Sequence, residues 1–258
     1  MKTRITYFLA TLFVVISLLL SSCALPSATP VPTSTPASTN TPEATATITT
    51  TQTPTLTPTA TPDLAATEQV ETFVAKVKEY YDAKYVSTTN GSYIRLKGHK
   101  QSWAEINYYQ WEETGLSPTN FIIKSDISWK SASPAADSSG CGFVLREQPN
   151  QDNYMLFISL KGYVRMSYFL TAKGNFVTYL GLGTYGLPAQ NGAAQVTLIA
   201  EDNIFRVLVN DKLIKVFSGL QGKLTTGKLA YTVVSGTNKG FGTSCDFKNT
   251  ELWTIKQE

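Results

Sequence analysis

The stretch Gly140–Leu170, GCGFVLREQPNQDNYMLFISLKGYVRMSYFL, constrains the fold more than any other part of the chain. Cys141, Phe143 and Leu145 alternate with Gly142, Val144 and Arg146. Tyr154, Leu156 and Ile158 alternate with Met155, Phe157 and Ser159, and Tyr163, Arg165 and Ser167 with Val164, Met166 and Tyr168. Two-residue alternation rich in aromatic and β-branched side chains marks half-buried strands. The polar break Gln148–Asn153 carries turn chemistry. Lys161-Gly162 sits where a tight hairpin needs a glycine at positive φ. An antiparallel three-stranded meander follows.

The pattern extends on both sides. Phe121, Ile123, Ile127 and Trp129 share one side of a strand. After the turn Ala172–Asn175 comes Phe176–Leu180, then Gln195–Ala200 and Ile204–Val209 as a hairpin across Glu201–Asn203. Lys212–Phe217 pairs back across Asn210-Asp211. Gly227–Val234 and Thr243–Ile255 close the series, the last with a break near Lys248-Asn249. About a dozen strands with no helices between them predict an all-β fold, an antiparallel sandwich or jelly roll. One amphipathic helix precedes it, from Asp63 to about Ala83. Val70, Phe73, Val74, Val77, Tyr80 and Tyr81 recur at helical spacing, which predicts docking onto the domain. Tyr85–Pro118 reads as irregular, apart from a short strand at Ser92–Leu96. Its aromatic cluster (Trp103, Ile106, Tyr108, Tyr109, Trp111) either packs a loop onto a sandwich face or offers a stacking platform.

The front of the chain has another character. Lys2 and Arg4 precede the apolar run Tyr7–Leu20, which is shorter than a membrane-spanning helix. The run ends in Leu20-Ser21-Ser22-Cys23, which resembles the bacterial lipobox. Residues 1–22 are therefore expected to be a signal peptide and Cys23 the lipidation site. Residues 23–62 form a Thr/Pro/Ala tract holding eight of the twelve prolines, too poor in apolar surface to fold. Stretched toward polyproline II it would span roughly 100 Å. The expected layout is then a helix and aromatic extension over 63–119 and the sandwich over 120–258. The expected location is outside the cell, on the outer face of the cell membrane, or in the periplasm or outer membrane of a two-membrane cell.

Composition narrows the chemistry. A net charge of +3, from 22 basic and 19 acidic residues without clustering, gives no nucleic-acid groove. The single histidine, His99, argues against His-based metal sites and reads as a surface loop residue. Gly181–Gly186 matches GxGxxG but lies outside any strand–helix unit, so it reads as a loop. Asp152, Asp202 and Asp211 lie in turns. They are too isolated for a strong Ca²⁺ site and are expected to cap turns, so no cofactor is expected. With Cys23 assigned to lipid, Cys141 and Cys245 remain as a disulfide or as two buried thiols.

Several segments resemble the concanavalin A-like lectin/glucanase sandwich, in its laminin-G-like and 3-keto-disaccharide-hydrolase-like bacterial forms. They are Gly142–Arg146, Tyr154–Ile158, Gly162–Val164, Val196–Glu201, Phe205–Leu213 and Cys245–Trp253. The resemblance covers about residues 120–255 and implies a fold more than a function. The E-x-D-x-x-E strand of the glucanases is absent, so catalysis is not expected. Glu147 has no carboxylate two or four residues away, and Glu112-Glu113 are adjacent and diverge. The resemblance implies a lipid-anchored, monomeric, lectin-like module that binds glycan or envelope polymer. The alternatives are a structural or protein-interaction module, or an enzyme acting on a disaccharide derivative. Candidate ligand-binding residues are Arg146, Arg165, Tyr163 and Trp111, with Gln110 and Asn238 in loops. For the two arginines, solvation on the outer sheet face is the alternative.

Overall fold

The computed structural model describes residues 64–106, 108–134, 138–171, 178–186, 190–220 and 224–256. The expected signal peptide, Cys23, the Thr/Pro-rich tract and the turn Ala172–Asn175 lie outside them. Helix α1 (Leu64–Asp82) comes first. Thirteen strands follow: β1 (Gly91–Arg95), β2 (His99–Trp103), β3 (Tyr109–Glu113), β4 (Phe121–Ser131), β5 (Gly140–Glu147), β6 (Asn153–Ser159), β7 (Tyr163–Phe169), β8 (Thr178–Thr184), β9 (Asn191–Glu201), β10 (Ile204–Val209), β11 (Lys212–Phe217), β12 (Lys228–Val234) and β13 (Thr243–Ile255).

Two antiparallel sheets result. Sheet I runs β1-β13-β4-β9-β10-β11, with β2 also on β13, and sheet II runs β3-β12-β5-β6-β7-β8. This is the antiparallel sandwich expected from the strand pattern, and the architecture that the concanavalin A-like resemblance implied. The inward rows of both sheets form one core, with Phe121, Ile123 and Ile127 from sheet I and Phe143, Leu156 and Met166 from sheet II. Cys141 of β5 and Cys245 of β13 form a disulfide across that core, so the free-thiol alternative does not hold. The predicted turns are present. Gly162 has φ 84°, and Asn210 and Asp211 (φ 50° and 62°) make the two-residue hairpin turn whose geometry matches the right-handed twist of the strands it joins. The break in β13 is a register shift between Lys248 and Glu251, with Asn249 at φ 47°.

Helix α1 docks as expected. Phe73, Val77 and Tyr80 are buried against Ile122, Ile199, Leu208 and Trp253 on the outer face of sheet I. Val74 and Tyr81 stay exposed, because the docked stripe is narrower than the apolar pattern. Lys84, at φ 61°, ends the helix in the left-handed conformation common just past helix C-termini. Among the described residues no helix is long and apolar enough to cross a membrane.

The reading of Tyr85–Pro118 as irregular is corrected. β1 and β2 pair with opposite ends of the same side of β13, and β3 pairs with β12. The segment 63–119 therefore supplies edge strands to both sheets. His99 is not a loop residue. It begins β2 and stacks on Tyr231, with ring centroids 5.1 Å apart and planes at 13°. Gly181–Thr184 of the GxGxxG match lie in β8, and only Gly186, at φ 88°, takes the turn conformation.

Candidate functional site

The two outer faces of the sandwich differ. That of sheet I is partly closed by α1, whereas that of sheet II gathers aromatic and ionisable side chains. Register defines this second face. Trp111 lies opposite Thr232, which lies opposite Gly142, then Phe157, then Arg165, in one row across five strands. Tyr109 and Glu113 flank Trp111 on the same side of β3, and Tyr163 lies two residues from Arg165 on β7, because same-face residues recur every second position.

Trp111 and Tyr109 stack, with centroids 5.2 Å apart at 29°, and both are half-buried. They pack with Phe169 against an apolar patch of Val144, Met155, Phe157, Ala230 and Val234. The bulky edge-strand rings therefore supply a wall, and the sheet supplies a floor. Arg165 is half-buried with its guanidinium 5.3 Å from the Phe157 ring centroid, a cation–π contact. Tyr163 is half-buried on the same face.

Glu147 and Asn153 were not foreseen as part of this site. Glu147 is 7% exposed and Asn153 fully buried. They flank the Gln148 N–H to Asp152 carbonyl bond that closes the β5–β6 hairpin. Burial pushes the Glu147 carboxyl above the usual carboxylate range, Glu113 adds to this, and Lys228 and Trp111 oppose it. Lys228 is ion-paired with Glu113 at 2.7 Å. Burial likewise raises the Tyr109 hydroxyl, with Asn153 pulling it back and Glu147 adding a small further rise. Two acceptors on this face, Glu147 Oε2 and Asn153 Oδ1, are buried without a hydrogen-bond partner. Such atoms are costly unless something supplies a donor.

The remaining expected residues fall elsewhere. Arg146 is 1% exposed, so neither ligand binding nor solvation describes it. It sits at φ 55° beside a register shift in the β5–β12 pairing. Its guanidinium donates to the carbonyls of Asp202 (2.7 Å), Leu224 (2.7 Å) and Thr119 (2.9 Å) and lies over the Phe205 ring. Gln110 alternates to the opposite side of β3 from Trp111 and is exposed, and Asn238 is exposed in the loop after β12. The structure thus places Trp111, Tyr163 and Arg165 on one sheet face, with Arg165 four strand spacings (roughly 19 Å) from Trp111, and leaves Arg146, Gln110 and Asn238 off that face. The aspartates have protein partners: Asp152 accepts from Thr171 N–H, Asp202 meets Asn120, and Asp211 meets Lys76. Among the described residues, no group of three or more His, Cys, Asp or Glu side chains is placed to hold a metal ion.

Two hollows lie off this face. A cleft of about 310 Å³ runs between Lys97–His99 and Glu112–Thr114 at the sandwich edge, with Tyr231 at its base. A shallower hollow of about 460 Å³ lies on sheet I between Asp126, Ser128, Ala193 and Lys248. Neither is lined by a buried polar atom lacking a partner.

No family model and no curated protein matches the chain. Solved structures similar to it include a carbohydrate-binding module (CBM66) from Bacillus subtilis, with 12% identity over 62% of this chain and 94% of that one, TM-score 0.46. Another is a β-glucanase from Bacillus licheniformis, with 13% identity over 57% and 71%, TM-score 0.43. A third is a fructosyltransferase from A. japonicus, with 11% identity over 65% of this chain, TM-score 0.46. The chain spans only 27% of that enzyme's length. At these identities, and with TM-scores below 0.5, no ligand or activity passes from these proteins to this chain.

Proposed function

We propose that the protein is a lipid-anchored, exported module whose sheet II outer face binds a glycan or envelope polymer without catalysing its cleavage. The observation that carries this is the stacked Tyr109–Trp111 pair standing beside Glu147, Glu113 and Lys228, with Arg165 farther along the same sheet face. Carbohydrate recognition needs this combination. The apolar face of a sugar ring covers an aromatic ring, while its hydroxyls take hydrogen bonds from charged and amide groups.

The non-catalytic reading rests on ion pairing. Glu113 is engaged by Lys228, which leaves Glu147 without a free second carboxylate to serve as nucleophile or base. Trp111→Ala is expected to weaken binding to a retained polysaccharide about 30-fold, as for a buried aromatic anchor worth about 2 kcal/mol. Affinity electrophoresis of wild type and variant through gels cast with soluble polysaccharides measures this. Equal retardation of the two proteins, or none of either, refutes the assignment.

The anchoring half of the proposal rests on the Leu20–Cys23 sequence. A diacylglyceryl group on Cys23, with a further acyl chain, holds a protein stably, whereas one chain binds only marginally. Cys23→Ala is expected to move the protein from the membrane fraction to the soluble fraction and to abolish incorporation of labelled fatty acid. Unchanged fractionation rejects the lipid anchor.

A further inference from the structure

We infer that Glu147 and Asn153 form the polar floor of the sugar subsite, and that this floor selects a neutral, hydroxyl-rich glycan over an acidic one. The inference rests on the glycan-binding reading above and adds the residues and the ligand class.

Three observations on sheet II carry it. First, Glu147 Oε2 and Asn153 Oδ1 are buried acceptors that no protein donor fills, although Trp111 bonds the Glu147 carboxylate and Tyr109 the Asn153 side chain. Asn153 is fully buried; one N–H of its amide donates to the Gln151 carbonyl at 2.8 Å, and its oxygen has no donor. A ligand that fills both atoms must bring donors. Sugar hydroxyls do so, and a carboxylate or phosphate does not. Second, the charges nearest the floor disfavour an anion. Glu147 and Glu113 face it, and Lys228 is bound to Glu113. Arg165 lies farther along the face, over Phe157. Third, the wall is adjustable. Tyr109 and Trp111 belong to a five-residue strand at the sheet edge, held in the sheet by β12 alone. Ligand entry to the floor would require β3 to shift, and a strand with one neighbour is the least constrained element of this face.

Glu147→Gln separates binding from folding. A carboxyl whose pKa is raised in the folded state contributes stability that is present at low pH and lost as pH rises through the folded-state value. Glutamine removes that loss. The variant is therefore expected to be at least as stable as wild type at neutral pH, with the gap closing as pH is lowered.

The experiment is isothermal titration calorimetry of the purified full-length protein in detergent, against a soluble β-glucan, a fructan, a galactan and polygalacturonate. The expected result is binding to at least one neutral polymer and none to polygalacturonate. Glu147→Gln is expected to lose about 10- to 100-fold in affinity, the range for a hydrogen bond to a charged group. Asn153→Ala is expected to lose affinity in the same direction, with circular dichroism confirming its fold. Neutral-polymer binding that survives Glu147→Gln unchanged overturns this inference and leaves the proposed function standing. Preference for polygalacturonate also overturns it. Absence of binding by the wild type to every polymer removes the glycan reading and the inference together.

Discussion

Replacing Arg146 with alanine is expected to destabilise the fold by about 3–5 kcal/mol, because three buried carbonyls lose a charged donor and hydrogen bonds to charged groups are worth about 1.5–3 kcal/mol each before relaxation. The guanidinium reaches carbonyls in three separate connections: Thr119 before β4, Asp202 in the β9–β10 turn, and Leu224 before β12. Each carbonyl loses its donor in the variant, and an unsatisfied buried acceptor costs about 1–3 kcal/mol. The ring of Phe205 loses its cation–π contact as well. For a domain of this size the melting temperature should fall by about 10 °C or more. Arg146→Lys should recover only part of the loss, because an ammonium cannot reproduce the planar fork that spans three acceptors. Urea denaturation at neutral pH measures both variants. A loss under about 1 kcal/mol for alanine would show that the three loops close without this residue.

Reduction of the Cys141–Cys245 bond should have an effect of similar size. The bond closes a sequence separation of 104 residues. In the chain-entropy model a loop of about 100 residues is worth about 4–5 kcal/mol, because the cross-link restricts the unfolded ensemble. The Cys141→Ala/Cys245→Ala protein should therefore unfold at markedly lower urea. Its m-value should rise, since the released unfolded chain exposes more surface. An unchanged midpoint would show that the unfolded state is already compact enough for the cross-link to be idle. Both positions are buried, so reductant acts mainly after unfolding and the wild type should lose the bond slowly under native conditions.

The strands from Phe121 onward were legible because each carries an apolar row of period two. β1 was legible too, as the short strand expected at Ser92–Leu96, but β2 and β3 were not. Sequences such as His99-Lys100-Gln101-Ser102-Trp103 have little apolar alternation, since edge strands bury only part of one face. Arg146 was misplaced for a related reason. Counting two-by-two from Cys141 puts it with Gly142 and Val144 on the outer face, but its φ of 55° breaks the pleat and aims the side chain inward. Glu147 was dismissed for lacking a carboxylate partner on its own strand. Its partners come from β3 and β12, and only the register of non-adjacent strands brings them together. Trp111, Tyr163 and Arg165 share one face because the sheet order aligns their strands. No local pattern encodes that alignment.

The position of β13 has a kinetic consequence. It is the last strand in the chain, yet it sits in sheet I with β4 on one side and β1 and β2 on the other. The earliest strands therefore wait for the final ones. A nascent chain holding everything up to Phe241 has no template for β1 or β2 and cannot form the cross-sheet bond at Cys141. Such long-range pairing slows folding. It also keeps the polypeptide open until β13 is made, which would suit the export proposed above.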